Sequence, residues 1–270
     1  MSAQRTQEPE PFVLGVIESI RSEVLGEDRV LNIHLPHGYA ADSAATYPVI
    51  YLVDGSADED FIHISGAVQF ASFPWIEWLE PSIVVGIANV DRKRDLTFPT
   101  NNGDDKAQFP TTGGSAAFMH FLADELIPFV EGHYCTGPGR TLIGQSLGGL
   151  FATEVLLKRP ELFTRYMIVS PSLWWDDGSL LKVEPAFMTN KEKAPRSVFI
   201  AVGKEGKGMV GPAKDLAAIV RKQGVVRVGF RYFPEYGHAD PLHGAVMEGF
   251  RWAGSTDQRS RPFKRAKPPR

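Results

Sequence analysis

Thr141-Leu142-Ile143-Gly144-Gln145-Ser146-Leu147-Gly148-Gly149-Leu150-Phe151 is the stretch that decides the fold. An apolar run enters a Gly-x-Ser-x-Gly turn, and a helix-like run from Gly149 to Leu157 leaves it. Strand, tight turn and helix in that order present a serine hydroxyl at the apex of a strained elbow. Bulky side chains at 144 and 148 would collide with the neighbouring strand and helix, so glycine is required there. The helix that opens at the serine points its positive end at a reacting carbonyl, which favours a developing oxyanion. The competing reading is a glycine-rich strand-to-helix connection with an idle serine.

Around the elbow the chain alternates strands and helices. Phe12 to Ile20 and Arg29 to Leu35 read as two early strands, joined by the turn-like Gly26-Glu27-Asp28. Pro48 to Val53 and Ser82 to Ala88 are apolar on both faces, as buried parallel strands are. Arg140 to Ile143, Tyr166 to Val169, Ser197 to Val202 and Val226 to Phe233 continue the series. Helical periodicity marks Ala116 to Val130, where Pro128 should loosen the last turn. Asp215 to Lys222 and Leu242 to Trp252 are the later helices. The order predicts an α/β fold with a mostly parallel sheet, helices on both faces and an antiparallel start. Residues 91–114 lack strong periodicity and should form a surface loop near the site.

A serine nucleophile needs a base, and the base needs an orienting group. In the α/β-hydrolase order the serine is followed by an acid and then a histidine. Five of the seven histidines precede Ser146, which leaves His238 and His243. His238 lies in a loop past the last strand, at the sheet edge where such folds present their sites, whereas His243 lies inside the following helix. Glu205, three residues past the strand ending at Val202, is the candidate acid. Asp215 and a bare Ser-His pair remain as alternatives, and Lys204 and Lys207 allow Glu205 to be only a solvated turn residue. The amides of Leu147 and Ser56 are the candidate oxyanion donors, with Gly55 allowing close backbone approach. Gly203 to Gly208 resembles a phosphate loop in spacing, but Met209 stands where the lysine should be. There is no zinc motif, so no metal and no cofactor is expected.

Composition sets further bounds. The chain has 270 residues, 43% of them hydrophobic, which suits one large α/β domain. A formal net charge of -3 argues against nucleic acid as the main partner. No apolar run approaches the roughly 20 residues of a membrane helix. The polar start has no secretory pattern, and Cys135 is the only cysteine, so a cytoplasmic location is expected. The expected organisation is a disordered segment (1–11), a catalytic domain (12–256) and a basic, disordered tail (257–270).

The chain resembles the "Putative esterase" family of the α/β-hydrolase fold, which includes siderophore, feruloyl and acetyl-xylan esterases and S-formylglutathione hydrolases. The pieces run in order: Leu25-Gly26-Glu27-Asp28-Arg29, Tyr47 to Gly55, Arg94-Asp95-Leu96-Thr97, Glu125 to Phe129, the elbow, Ser170-Pro171-Ser172-Leu173-Trp174-Trp175, and Gly237-His238. The last tryptophan-bearing run and Gly203-Lys204-Glu205 are most similar to the branch of cytoplasmic siderophore esterases. The resemblance implies catalysis by Ser146, His238 and Glu205. Gln145 stands where the family often has histidine, and Phe98 interrupts the usual Thr-Pro.

The expectation is therefore a serine carboxylesterase that works through an acyl-enzyme on a small-molecule ester. A catecholate-trilactone siderophore esterase and a non-catalytic binding protein of the same fold are the alternatives. Gly55, Gln145, Trp174, Trp175 and Arg94 are the candidate substrate contacts, with one tryptophan lining the site and the other packing. Arg92, Lys93 and Arg94 either attract an anionic substrate or solvate a loop. The oligomeric state is left open between monomer and homodimer.

Overall fold

The computed structural model describes residues 8–42, 44–222 and 224–260. Eight strands form one sheet: β1 (Val16–Ser22), β2 (Glu27–His34), β3 (Tyr47–Leu52), β4 (Ile83–Ile87), β5 (Thr136–Gln145), β6 (Arg165–Val169), β7 (Ser197–Gly203) and β8 (Arg227–Phe233). Their order is β1-β2-β4-β3-β5-β6-β7-β8. The β1/β2 and β2/β4 pairs are antiparallel, and the other pairs are parallel. The parallel strands therefore all deliver their carboxyl ends, at Leu52, Gln145, Val169 and Gly203, to the same edge of the sheet.

Buried side chains alternate across those strands. Val49, Tyr51, Leu142, Ile168 and Ile200 face one core cluster, while Ile50, Leu52, Ile143, Val169 and Phe199 face the other. Both faces must then be covered, which is why these strands are apolar throughout. Helix α1 (Phe61–Ala71) packs in the second cluster. It has no counterpart in the sequence reading.

Residues 91–114 are more ordered than the expected loop. They contain α2 (Arg92–Leu96) and α3 (Gly103–Gln108), and they bury Asp95, Leu96, Thr97, Phe98, Thr100 and Asp105. Polar side chains hold this segment together: the Thr97 hydroxyl bridges to Thr112, and Thr100 donates to Asp105 and Asp176. The expected helix from Ala116 to Val130 is α4 (Ser115–His120), a π-helical stretch from Phe121 to Leu126, and α5 (Ile127–His133). Pro128 cannot donate a backbone hydrogen bond, and the widened stretch ends just before it.

The serine elbow opens α6 (Leu147–Lys158), and the tryptophan run leads into the short α7 (Trp175–Gly178). α8 (Lys207–Lys222) starts well before the expected Asp215, and α9 (Leu242–Ser260) runs past the expected domain end at 256. Residues 8–11 have no regular structure; residues 1–7 and 261–270, with most of the expected tail, lie outside the described residues. No helix among the described residues is long and apolar enough to cross a membrane.

One buried ion network fixes the approach to the site. Arg29 on β2 is fully buried, pairs with Asp95 of α2 and with Glu27, and lies over the rings of Phe118 and Phe121 at 5.0 and 5.6 Å. Removing one partner of a buried pair strands the other charge. Asp95→Ala should therefore lower unfolding stability by about 3 kcal/mol in urea titration. A loss below about 0.5 kcal/mol would mean that Arg29 is satisfied without it.

Candidate active site

The elbow is built by contact between backbones. A Cβ on Gly144 would lie 2.3 Å from the Gly148 carbonyl oxygen, and one on Gly148 would lie 2.7 Å from a Val53 methyl. The chain must turn within that space, and Ser146 takes φ +59° and ψ -119°. Non-glycine residues adopt positive φ at a cost, and such strain is held by surrounding structure at functional positions. The Ser146 N–H donates to Val169 O at 3.1 Å, and Leu150 N–H donates back to Ser146 O at 2.9 Å. The hydroxyl is thus carried by the end of β5 and the first turn of α6.

Residues far apart in sequence meet there. The loop after β8 brings His238 so that its Nε2 lies 3.0 Å from Ser146 Oγ. Its Nδ1 is hydrogen-bonded to Glu205 Oε2, just past β7. Nδ1–H therefore donates to the carboxylate, and Nε2 is left to accept the serine proton. The Glu205 side chain is 3% exposed, whereas that of His238 is 48% exposed. Asp215, the alternative acid, is exposed on α8, and His243 lies in α9, its ring 5.6 Å from that of His63.

Glu205 is held from its other side. Its Oε1 accepts from Gly203 N–H at 2.9 Å and from the Ser170 hydroxyl. Ser170 is fully buried at the end of β6, with φ +43°, and its N–H donates to Ala201 O at 2.8 Å. A buried carboxyl group needs such partners to satisfy its oxygens and fix its orientation. Two residues on, Ser172 is 2% exposed, and its Oγ lies 3.4 Å from Ser146 Oγ. Sequence reasoning used this run for its tryptophans and missed both hydroxyls, although their place directly after a buried strand at the loaded edge was visible.

The turn after β3 carries the other expected donors. Leu147 is the first residue of α6, where helix N–H groups lack intrahelical acceptors. The Ser56 N–H is engaged by Glu59 Oε2 at 3.3 Å, a long bond that closes a Ser-x-x-Glu turn. Asp54, at φ +57°, receives Arg92 through two bonds of 2.6 and 2.7 Å and Asn89 at 2.7 Å. Burial works against the Arg92 charge, but the hydrogen bonds and charge of Asp54 outweigh it and raise its pKa. Arg92 is a brace for this turn, which neither sequence alternative for it foresaw.

Several expected substrate contacts serve other ends. Gly55 has both backbone groups in use, its N–H to Ile87 O at 3.0 Å and its carbonyl accepting from Asn32 at 2.9 Å. A Cβ there would lie 2.4 Å from Gly86 Cα, so its glycine serves packing rather than substrate contact. Arg94 is taken by Glu27 and Asp95, whose hydrogen bonds raise its pKa, so its charge is neutralised within the fold. Gln145 donates to the His238 carbonyl at 2.7 Å and so steadies the histidine loop. Trp175 is fully buried, and its indole N–H donates to Phe98 O at 2.9 Å. Trp174 is 38% exposed, two residues from Ser172, and faces Phe109 at 6.2 Å. Trp175 thus packs in the core, and Trp174 is partly open to solvent. No group of three or more potential ligands among the described residues is placed to hold a metal ion.

The family model described as "Putative esterase" matches residues 22–238, from the end of β1 to the histidine of this site. The chain belongs to this esterase family. It is a serine hydrolase that cleaves carboxylic esters, on an α/β-hydrolase fold. The ferri-bacillibactin esterase BesA of Bacillus subtilis (strain 168) is 31% identical over 250 residues, covering 84% of this chain and 86% of BesA. Among solved structures, the BES protein from Bacillus cereus superimposes with a TM-score of 0.79 at 28% identity, covering 93% of this chain and 99% of that one. An IroE-like serine hydrolase from Shewanella oneidensis gives a TM-score of 0.74 at 30% identity, covering 88% and 79%.

The Ser170 bond gives a direct test of how Glu205 is held. Hydrogen bonds to charged groups contribute about 1.5–3 kcal/mol. Ser170→Ala should lower kcat for an ester substrate about tenfold, with KM unchanged within about twofold. An unchanged kcat would mean that Gly203 N–H alone suffices.

Proposed function

We propose that this esterase acts through Ser146 as nucleophile, His238 as general base and acid, and Glu205 as the group that orients the imidazole. The observation that carries the reading is the unbroken hydrogen-bonded chain from Glu205 through His238 to a serine held at positive φ. Ser146 Oγ attacks the ester carbonyl as its proton passes to His238 Nε2. The tetrahedral oxyanion faces the N-terminus of α6, with Leu147 N–H as one donor. Ser56 N–H is the second donor once it exchanges Glu59 for the oxyanion. The intermediate collapses, the C–O bond to the alcohol breaks, and His238 protonates the leaving alkoxide. Water then attacks the acyl-enzyme, giving a proton to His238, which returns it to Ser146 Oγ as the acid leaves.

Site variants separate the roles. Ser146→Ala should reduce turnover on the order of 10⁶-fold, as loss of a nucleophile does elsewhere. Glu205→Gln keeps the size but loses the charge that stabilises the imidazolium, and a fall of about 10⁴-fold is expected. Asp215→Asn should change turnover by less than about threefold, since a surface charge contributes little. A near-normal Glu205→Gln enzyme beside a crippled Asp215→Asn enzyme would reassign the acid.

For the substrate, esters with a flat aromatic acyl group are proposed, with catecholate trilactones of the siderophore type among them. The similarity to BesA and the partly exposed Trp174, two residues from Ser172, support this reading. Aromatic-acyl esters should exceed alkanoyl esters of the same alcohol and equal reactivity in kcat/KM, and Trp174→Ala should narrow the gap. Equal loss on both classes would make Trp174 structural. The single cysteine favours the cytoplasm as the place of action.

A further inference from the structure

Ser172 is the one side chain besides His238 that comes within hydrogen-bonding range of the Ser146 hydroxyl among the described residues, with Oγ···Oγ 3.4 Å. Several contacts fix it there. Its backbone N–H donates to Ser146 O at 3.0 Å. Pro171, just before it, packs on the first turn of α6 so tightly that a Cβ on Gly149 would lie 2.9 Å from Pro171 Cα. Ser170, two residues back, is tied to Glu205. The residue is 2% exposed, so its hydroxyl is held away from bulk solvent.

The proton inventory decides which hydroxyl donates. His238 Nδ1–H faces Glu205, so Nε2 accepts and the Ser146 proton points to it. Ser146 Oγ keeps lone pairs to accept, and Ser172 O–H is the donor in reach. At 3.4 Å the bond is weak in the resting enzyme. Catalytic hydrogen bonds are often long in apo structures and tighten as the reaction proceeds. This one tightens when charge collects on Ser146 Oγ.

Charge collects on that atom whenever the C–Oγ bond forms or breaks, and the contrast with the starting state is largest in deacylation. In the acyl-enzyme Oγ is an ester oxygen and a poor acceptor. When the second tetrahedral intermediate collapses, the C–Oγ bond breaks, its electron pair moves onto Oγ, and the proton returns from His238. During acylation Oγ passes through a similar charged transition state, but it starts as a hydroxyl that already accepts the Ser172 bond, so the donor gains less there than from an ester oxygen. Only an interaction stronger in the transition state than in the ground state speeds a step.

We propose that Ser172 is a further catalytic residue, whose hydroxyl donates to Ser146 Oγ as that oxygen leaves the acyl group, so that it speeds deacylation more than acylation. The proposal rests on Ser146 being the nucleophile. It is tested with p-nitrophenyl acetate in stopped flow, and with the rate at which a fluorophosphonate labels Ser146. In Ser172→Ala the labelling rate and the burst of p-nitrophenol should stay within about twofold of the unsubstituted enzyme, while the steady-state rate after the burst falls about tenfold. Equal loss of labelling, burst and steady-state rates would make Ser172 a packing residue and overturn the proposal, as would no change in any of them. Absence of label on Ser146 in the unsubstituted enzyme would instead remove the nucleophile assignment, and this proposal with it.

Discussion

The approach of Gly144 to Gly148 is the constraint on which the rest of the site depends. Neither residue has room for a Cβ, and the turn between them forces Ser146 to φ +59°. That turn places a hydroxyl at the edge of the sheet, directly ahead of the first turn of α6. The parallel strands supply the remaining parts because their carboxyl ends share that edge. β6 ends one residue before Ser170, β7 ends two residues before Glu205, and the loop after β8 carries His238. A register shift in any of them would separate groups that the fold holds within hydrogen-bonding distance.

The polar groups here are braced from behind. Glu205 is buried and receives two donors on one oxygen, with the imidazole on the other. Asp54 is pinned by Arg92 and Asn89, and α2, which carries Arg92, is tied to β2 through Asp95 and Arg29. A buried charge is stable only when paired and hydrogen-bonded, so each brace needs the next. The ionic chain from β2 to the turn after β3 is a scaffold for the site. Arginines 92 and 94 belong to it rather than to an anionic ligand.

What the sequence made legible follows from the range of each signal. The elbow is local, and the strands apolar on both faces are local, so the α/β class and the edge that carries the site could be read directly. His238 and Glu205 could be named as candidates because chain order and strand ends narrow the choice, and the fold brings both to Ser146. Helix α1 escaped because small residues, Ser65, Ala67 and Ala71, form much of its buried stripe and give little hydrophobic contrast. Residues 91–114 read as a loop because polar contacts of long sequence separation order them, such as Thr100 with Asp176 and Arg94 with Glu27. The partners of Ser170, Ser172 and Arg92 depend on packing between distant segments, and no spacing in the chain announces them.

Ester cleavage is expected to pass through a covalent bond to Ser146. Acid-quenching the enzyme during turnover of p-nitrophenyl acetate, then weighing the intact protein and its peptides, tests it directly. A species heavier by one acetyl group is expected, with the addition on the peptide that contains Ser146 and absent from Ser146→Ala. An active enzyme that carries its acetyl group on another residue, or a Ser146→Ala protein that is acetylated and turns over normally, would contradict it.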